Sequence, residues 1–466
     1  MFFLVILILL SSSFAQLPSV KGALNDAMFE MLKEVALKEF NKNSTNIRIE
    51  DFETDISVAK IIAKNITMSI EPIKKDDLGI HLIEGTNNFV ISGRSLSMNG
   101  SLNLTIKVGF IKIDSYGVMS AKKLGFNSTI KLLKNGTRLA VNVTEVNIDL
   151  LQENISIKLS GNIISSILNA VVKFLKAFFF ENIKGACQDF FPEVISGAAN
   201  TILSSLPDEV PVTQGSSAKF MFVEPPKILK GYAIVPILAY VHKDGDKDLP
   251  PYNPPAIPDL DPDCHKGIQI FVSDYVIKTT VDTATKIGLL SYNKTINILG
   301  FKTDISCKAN SPPIVKFDNY INFKGSVLCN STIHVSKNVD VKLDLLITLN
   351  ATIGEVIRNS TLYLNVKTLV IEDLKIIIGD IFDLKKLINE LNKYLKDVID
   401  YINIALENKG IPLPNIDYFD ISDVNEGIKG PNIFICGNLK PKNTTFKFHF
   451  PSDYYYKPKI PHTYTN

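Results

Sequence analysis

With 466 residues the chain is longer than one hydrophobic core usually supports, roughly 250 to 300 residues, so two domains of about 200 are expected. Acidic and basic residues are interspersed and nearly cancel, at a formal net charge of +2, which argues against nucleic acid as a partner. No apolar stretch reaches the roughly 20 uninterrupted residues that cross a bilayer as a helix.

Met1–Ala15 is apolar through MFFLVILILL, turns small and polar through SSSFA, and ends in a Ser13-x-Ala15 cleavage pattern. It reads as a signal peptide without the usual positive start, which places the mature protein outside the cell or in the lumen of the secretory system. Val20, Leu24, Met28, Met31, Leu32 and Val35 recur at helical spacing and predict an amphipathic helix. From Asn46 to Leu159 the pattern changes to alternating runs such as NFVISG, LNLTIKVGF and LAVNVTEVNI, a meander of antiparallel strands with one apolar face. Asn162–Leu206 is helical again. Its stripe passes through Ile164, Leu168, Val171, Leu175, Phe178, Phe179, Ile183 and Cys187, and Gly185 and Pro192 are placed to bend it round a curved sheet.

Leu249–Pro262 reads LPPYNPPAIPDLDP. Each proline removes a backbone donor and holds the residue before it extended, so the run is a semi-rigid linker. Beyond it the same parts return in outline: a short strand and helix through GIQIFVSDYVIKTTVDTATKIGLL, then strands such as SVLCNSTIHV and VKLDLLITL. A second long helix follows, with Leu384, Leu387, Ile388, Leu391, Leu395, Val398, Ile399, Ile402 and Leu406 at helical spacing and a stop signal at Asn408–Gly410. The strand NIFICGNL and the alternating Phe446, Phe448 and Phe450 close the sequence. The division is therefore a signal peptide at 1–15, a first domain at 16–240, a linker at 241–263, a second domain at 264–440, and a last strand with a loose tail at 441–466.

Asn43, Asn65, Asn99, Asn103, Asn127, Asn135, Asn142, Asn154, Asn293, Asn330, Asn350, Asn359 and Asn443 all stand in N-x-S/T and are candidate glycosylation sites. Five cysteines leave an odd one in an oxidising compartment. Cys307 and Cys329 flank an expected strand pair and are predicted to form a disulfide; Cys187, Cys264 and Cys436 have no assignable pairing. Chemistry is harder to find. The chain has no Gly-x-Ser-x-Gly elbow, no His-Glu-x-x-His, no phosphate-cradling glycine loop and no cysteine spacing for zinc. The turn Asp244–Asp248 lacks the mid-loop glycine and final glutamate of a calcium loop. The expectation is a protein that is not an enzyme and needs no metal or cofactor.

Each half thus reads as α+β, a long amphipathic helix lying in a curled antiparallel sheet. At VSDYVIKTT (Val272–Thr280), just past the linker, the chain resembles the family of bactericidal/permeability-increasing protein, lipopolysaccharide-binding protein and the cholesteryl ester and phospholipid transfer proteins. NIALENKGIPLPNIDYFDISDVN (Asn403–Asn425) with NIFICGNL is similar to that family's closing helix, turn and last strands, and NIKGACQDFFPEVISGAANTILSSLP (Asn182–Pro207) to its first-half helix. The resemblance implies a boomerang of two lipid-binding barrels joined by a central sheet. Each barrel would hold a phospholipid or similar apolar lipid between helix and sheet, with transient contact to a membrane or lipoprotein surface. Lipid tails would then touch Leu168, Val171, Leu175 and Phe178 in the first half and Ile388, Leu391, Leu395 and Ile399 in the second. Burial is worth about 0.8 kcal/mol per CH₂, so lipid can be drawn from a membrane without catalysis.

This sequence departs from the family at two places. The strands around Val141–Ser156 carry no cysteine to pair with Cys187 as the family's do. In SGRSLSMNGSLNLT (Ser92–Thr105), which matches the basic tip of the members that recognise lipopolysaccharide, only Arg94 is basic, and the hairpin Lys131–Arg138 is the other basic candidate. Lipid binding or transfer is the leading expectation. A host-defence protein binding microbial envelope lipid, with a role in innate immunity, is the first alternative, and a ligand-free structural or adhesive glycoprotein the second.

Overall fold

Long runs of alternating burial build most of the molecule, and breaks in that alternation give it curvature. Along Ile111–Asn135, Ser115, Met119 and Ala121 face inward; past Lys123 the inward set shifts by one, to Leu124, Phe126, Ser128 and Ile130. Lys123 sits at φ 56° and, in the adjacent strand Asn88–Val108, Ser95 sits at φ 57°, where the pairing register also shifts. An extra residue at such a bulge bends the strand and increases its twist, which curls the sheet. The computed structural model describes residues 17–42, 46–160, 165–205, 207–298, 300–318, 320–337, 339–358, 361–378, 384–407, 411–412, 419–441 and 453–460. The signal-peptide segment, the helix stop at Asn408–Gly410 and the Phe446–Phe450 run lie outside them.

Three sheets organise the described strands. The first-half sheet runs Asp453–Tyr456, Asn46–Ile49, Ala59–Ile70, Asn88–Val108, Ile111–Asn135 and Arg138–Asp149, with three shorter strands beside this path. The second-half sheet runs Ser291–Ile298, Phe301–Ala309, Ile321–Ser336, Val339–Arg358, Thr361–Ile378 and Ile411–Pro412. A central sheet draws on both halves, because Val20–Asn25 pairs on one side with Tyr232–Lys243 and on the other with Ile268–Ser273, which in turn pairs with Asn432–Pro441.

Four described helices accompany the sheets: α1 (Asp26–Lys42), α2 (Ser165–Ser205), α3 (Asp274–Lys286) and α4 (Leu384–Glu407). At 1.5 Å per residue α2 is about 60 Å long and carries Pro192 inside it. The first predicted helix begins too early, since Val20 and Leu24 belong to a central strand. Val20 and Ala23 are buried between two neighbouring strands there, and pairing on both sides outweighs helical spacing. The tail also differs from a loose end: Asp453–Tyr456 adds a parallel strand to Asn46–Ile49.

The linker is tied down along its length. Asp259 receives both Lys21 and Lys227 at 2.7 Å, Asp261 meets Lys429, and a disulfide joins Cys264 to Cys436. A second disulfide joins Cys307 to Cys329 on adjacent strands. Cys187 is free and buried.

Candidate functional site

The stripe of α2 turns inward as its spacing requires, and what it meets is other side chains. Val171, Leu175 and Phe178 have no exposed surface, and Leu168 is half-buried. The Phe178 ring lies 4.1 Å from that of Phe52, and Phe191 stacks on Phe126 at 4.3 Å. Together with Phe174, Phe179 and Phe190 they form one continuous cluster reaching from Ile47 to Val194. Cys187 is sealed inside, 4.0 Å from the Met98 sulfur, and burial pushes its thiol pKa up to about 12. Such a thiol is inert.

In the second half the equivalent helix meets a different wall. Leu391 is buried on a cluster of Ile333, Leu345, Ile371 and Leu374 beside the Cys307–Cys329 bridge, and Ile388 and Leu395 pack against it only half-buried. Ile399, also half-buried, packs instead on a separate cluster of Ile321, Ile353 and Val366 beside the central sheet. Packed against this second cluster runs a row of inward residues, Phe323, Ala351 and Leu369, paired strand to strand and all half-buried. Leu349 and Val327 continue it. Apolar side chains that face inward here yet keep part of their surface exposed are where this core is least closed.

Both helices are held by the same device. The Asn200 amide accepts from the Val141 N–H at 2.8 Å and donates to the Val141 carbonyl at 3.0 Å; Asn403 does the same with Val366 at 2.6 and 3.1 Å. These asparagines look like ordinary polar residues in sequence. Their matching places near the ends of the two helices were the available signal.

The apex of the first half is the turn between Val108 and Ile111, where Gly109 takes φ 56° and Phe110 is 109% exposed. Ile111 and Val58, on the neighbouring turn, are exposed beside it. Lys60, Lys107 and Lys112 stand in register just behind, with Lys60 paired to Glu53 and Lys112 to Asp114. This corrects the expected tip. Arg94 lies well back along the strand, and the hairpin Lys131–Arg138 is docked towards the central sheet, Arg138 on Asp208 and Lys134 on the Val223 carbonyl. The second-half apex exposes Phe301, Val335 and Val339. Near it His334 bridges Asp340 and Asp304 at 2.8 and 2.9 Å, and these carboxylates raise its pKa above 6.5.

Of the candidate glycan sites, Asn65, Asn99, Asn103, Asn127, Asn135, Asn142, Asn293 and Asn330 are exposed, and Asn154 and Asn350 half-buried; Asn43, Asn359 and Asn443 lie outside the described residues. Among the described residues no group of three or more His, Cys, Asp or Glu could hold a metal ion. No helix there is long and apolar enough to cross a membrane.

Compared with protein-family models and with curated proteins, the sequence matches none. Among solved structures the chain is similar to lipopolysaccharide binding protein, with a TM-score of 0.57 at 13% identity over 92% of this chain and all of that one. The likeness is one of fold. P47 from Clostridium botulinum A2 matches with a TM-score of 0.34 at 12% identity, covering 90% of this chain and 97% of that one, and Takeout 1 from Epiphyas postvittana with 0.21 at 15%, covering 34% and 80%; neither bears weight. A curled sheet with a helix along it is the architecture that this chain and lipopolysaccharide binding protein share.

Proposed function

We propose that this is a secreted lipid-binding glycoprotein that holds a phospholipid or similar apolar lipid in a cleft of its second half and carries it between surfaces, without catalysing a reaction. The half-buried row Phe323–Ala351–Leu369 carries the proposal, because it offers apolar surface that a lipid tail would remove from water. The fold shared with lipopolysaccharide binding protein supports it. Two disulfides support export to an oxidising compartment, and the exposed N-x-S/T asparagines support glycosylation. Phe110 at the first apex supports contact with a lipid surface, its exposed ring being the kind of group that enters the interface of a bilayer.

A host-defence role on microbial envelope lipid is favoured by one observation, the lysines at 60, 107 and 112 behind Phe110. Their neighbours Glu53 and Asp114 offset that charge, so lipid carriage is the better reading.

The chain contains no tryptophan, so Phe323→Trp places a single one in the cleft. Energy transfer from it to a dansyl-labelled phosphatidylcholine should rise and saturate near one lipid per cleft, and Ala351→Phe should abolish the rise by filling the space. Native mass spectra of the purified protein should show bound lipid lost with the same substitution. No transfer and no bound lipid would leave the ligand-free glycoprotein as the surviving alternative.

A further inference from the structure

The strand Asp453–Tyr456 and the residues up to Ile460 lie between the edge strand Asn46–Ile49 and helix α2, and they are bound to both. On the sheet side, residues 453–456 pair with 46–49, Arg48 holds Asp453 at 2.8 Å, and the Glu50 N–H donates to the Tyr456 carbonyl. On the helix side, Tyr454 meets the Phe190 ring edge-on at 5.5 Å, and Ile460 packs on the apolar cluster.

Helix α2 is cut to receive this segment. Asn182 is wholly buried in an otherwise apolar stripe, and its side chain accepts from the Lys459 N–H at 2.7 Å and donates to the Lys459 carbonyl at 3.0 Å. Three residues on, and so on the same face, Gly185 leaves room for Tyr456: a Cβ there would stand 2.2 Å from the tyrosine hydroxyl. The Asn182 amide also donates to the Phe178 carbonyl of its own helix at 2.8 Å, but its oxygen and the missing side chain at Gly185 serve only the tail. Both fit a chain segment laid across it.

The opposite edge of the same sheet is already fastened to α2 by the Asn200–Val141 clasp. We propose that the tail segment is a latch, closing the slot between α2 and the edge strand, and that its release admits lipid to the first half. The fully packed state of Val171, Leu175 and Phe178 is then the latched state of a second lipid site. The inference rests on the lipid-binding reading and adds its regulation. The fastening is short: four residues of parallel pairing, one ion pair with a half-exposed arginine, one amide clasp, and the packing of Tyr454, Tyr456 and Ile460 on the apolar cluster, with Tyr455 69% exposed.

The test uses the full-length chain with the second-half cleft filled by Ala351→Phe, so that uptake of a dansyl-labelled phosphatidylcholine from vesicles reports on the first half. Gly185→Ala drives Tyr456 off its seat without touching a groove residue, and should speed uptake by about tenfold. Asn46→Cys with Asp453→Cys, oxidised to a disulfide, should suppress uptake relative to the same variant before oxidation. The amide exchange of Lys459, which should quicken on adding vesicles, is the independent readout. If the cross-linked chain loads as fast as the open one, or if Lys459 exchange ignores vesicles, the segment is a fixed staple and the proposal fails. Quickened exchange with no lipid retained upholds the latch and counts against lipid binding instead.

Discussion

Along α2 the inward residues Val171, Leu175 and Phe178 have no exposed surface, whereas along α4 Leu391 is buried and Ile388, Leu395 and Ile399 remain half-exposed. The apolar stripe is sharper on α4 than on α2, which is apolar nearly all round, yet it is α2 that is closed, so the sharpness of the stripe does not decide the outcome. The volume of the side chains brought together by helix and sheet does. The first half sets Phe52, Phe126, Phe174, Phe178, Phe179, Phe190 and Phe191 into one cluster, while the described distal cluster of the second half is made of isoleucine, leucine and a cystine. Each phenylalanine brings more area than an aliphatic residue and fills the space a ligand would take. The halves therefore differ in state more than in architecture.

That comparison breaks most readily at Phe178. Removing its ring should leave a cavity in a core that is full, costing about 3 to 5 kcal/mol in the urea unfolding of Phe178→Ala. Ile399→Ala, in the open half, should cost about 1 to 2 kcal/mol, because part of that side chain is already in water. Equal losses would mean that the second-half core is as closed as the first.

The apices sharpen the contrast at a lower energy. Phe110→Ser should weaken sedimentation with phosphatidylcholine vesicles by about tenfold, the loss expected for one aromatic ring leaving the interface. Val339→Ser at the other apex should do less, since Val339 is 51% exposed against 109% for Phe110. Unchanged sedimentation of the Phe110 variant would remove the first apex as a membrane contact.

The smallest effect concerns His334. Its pKa is raised by the hydrogen bonds it donates to Asp304 and Asp340, so the stabilisation is fully present below its ordinary 6.5 and is lost as pH rises through the raised value. Asp304 is lowered, first by Thr295 and then by His334, so its share appears above its ordinary 3.8 and disappears as pH falls through the lowered value. The urea midpoint should thus drift down slightly between about pH 6 and pH 8, and His334→Asn should flatten that drift. An identical drift in the variant would assign it elsewhere.

Much of the architecture is legible in the sequence because it rests on period: strands alternate and α2 and α4 keep their stripes. What escapes has another origin. Val20–Asn25 has helical spacing and becomes a strand because two partners, met more than 200 residues later, flank it. The apex lysines lie at 60, 107 and 112, distant in sequence and gathered only by register, so attention to the run around Arg94 misses them. Asn182 and Gly185 read as blemishes in an apolar helix until the tail is laid over them. The division between a filled and an open stripe depends on how the phenylalanines of α2 meet those of the sheet, and Phe126 faces the helix because the bulge at Lys123 shifts the inward set.

The parallel pairing of Asn46–Ile49 with Asp453–Tyr456 joins residues separated by some four hundred positions, as the Arg48–Asp453 contact records at 405. During synthesis at about 5 to 20 residues per second, the edge formed by residues 46–49 would wait roughly 20 to 80 seconds for its partner. Through that interval the outer edge of a first-half strand stays open with its outward hydrogen-bonding groups unpaired, the state most open to association with other chains. A segment made some four hundred residues later completes the first-half sheet, so maturation of this protein depends on the arrival of residues 453–456 and on whatever shields that edge beforehand.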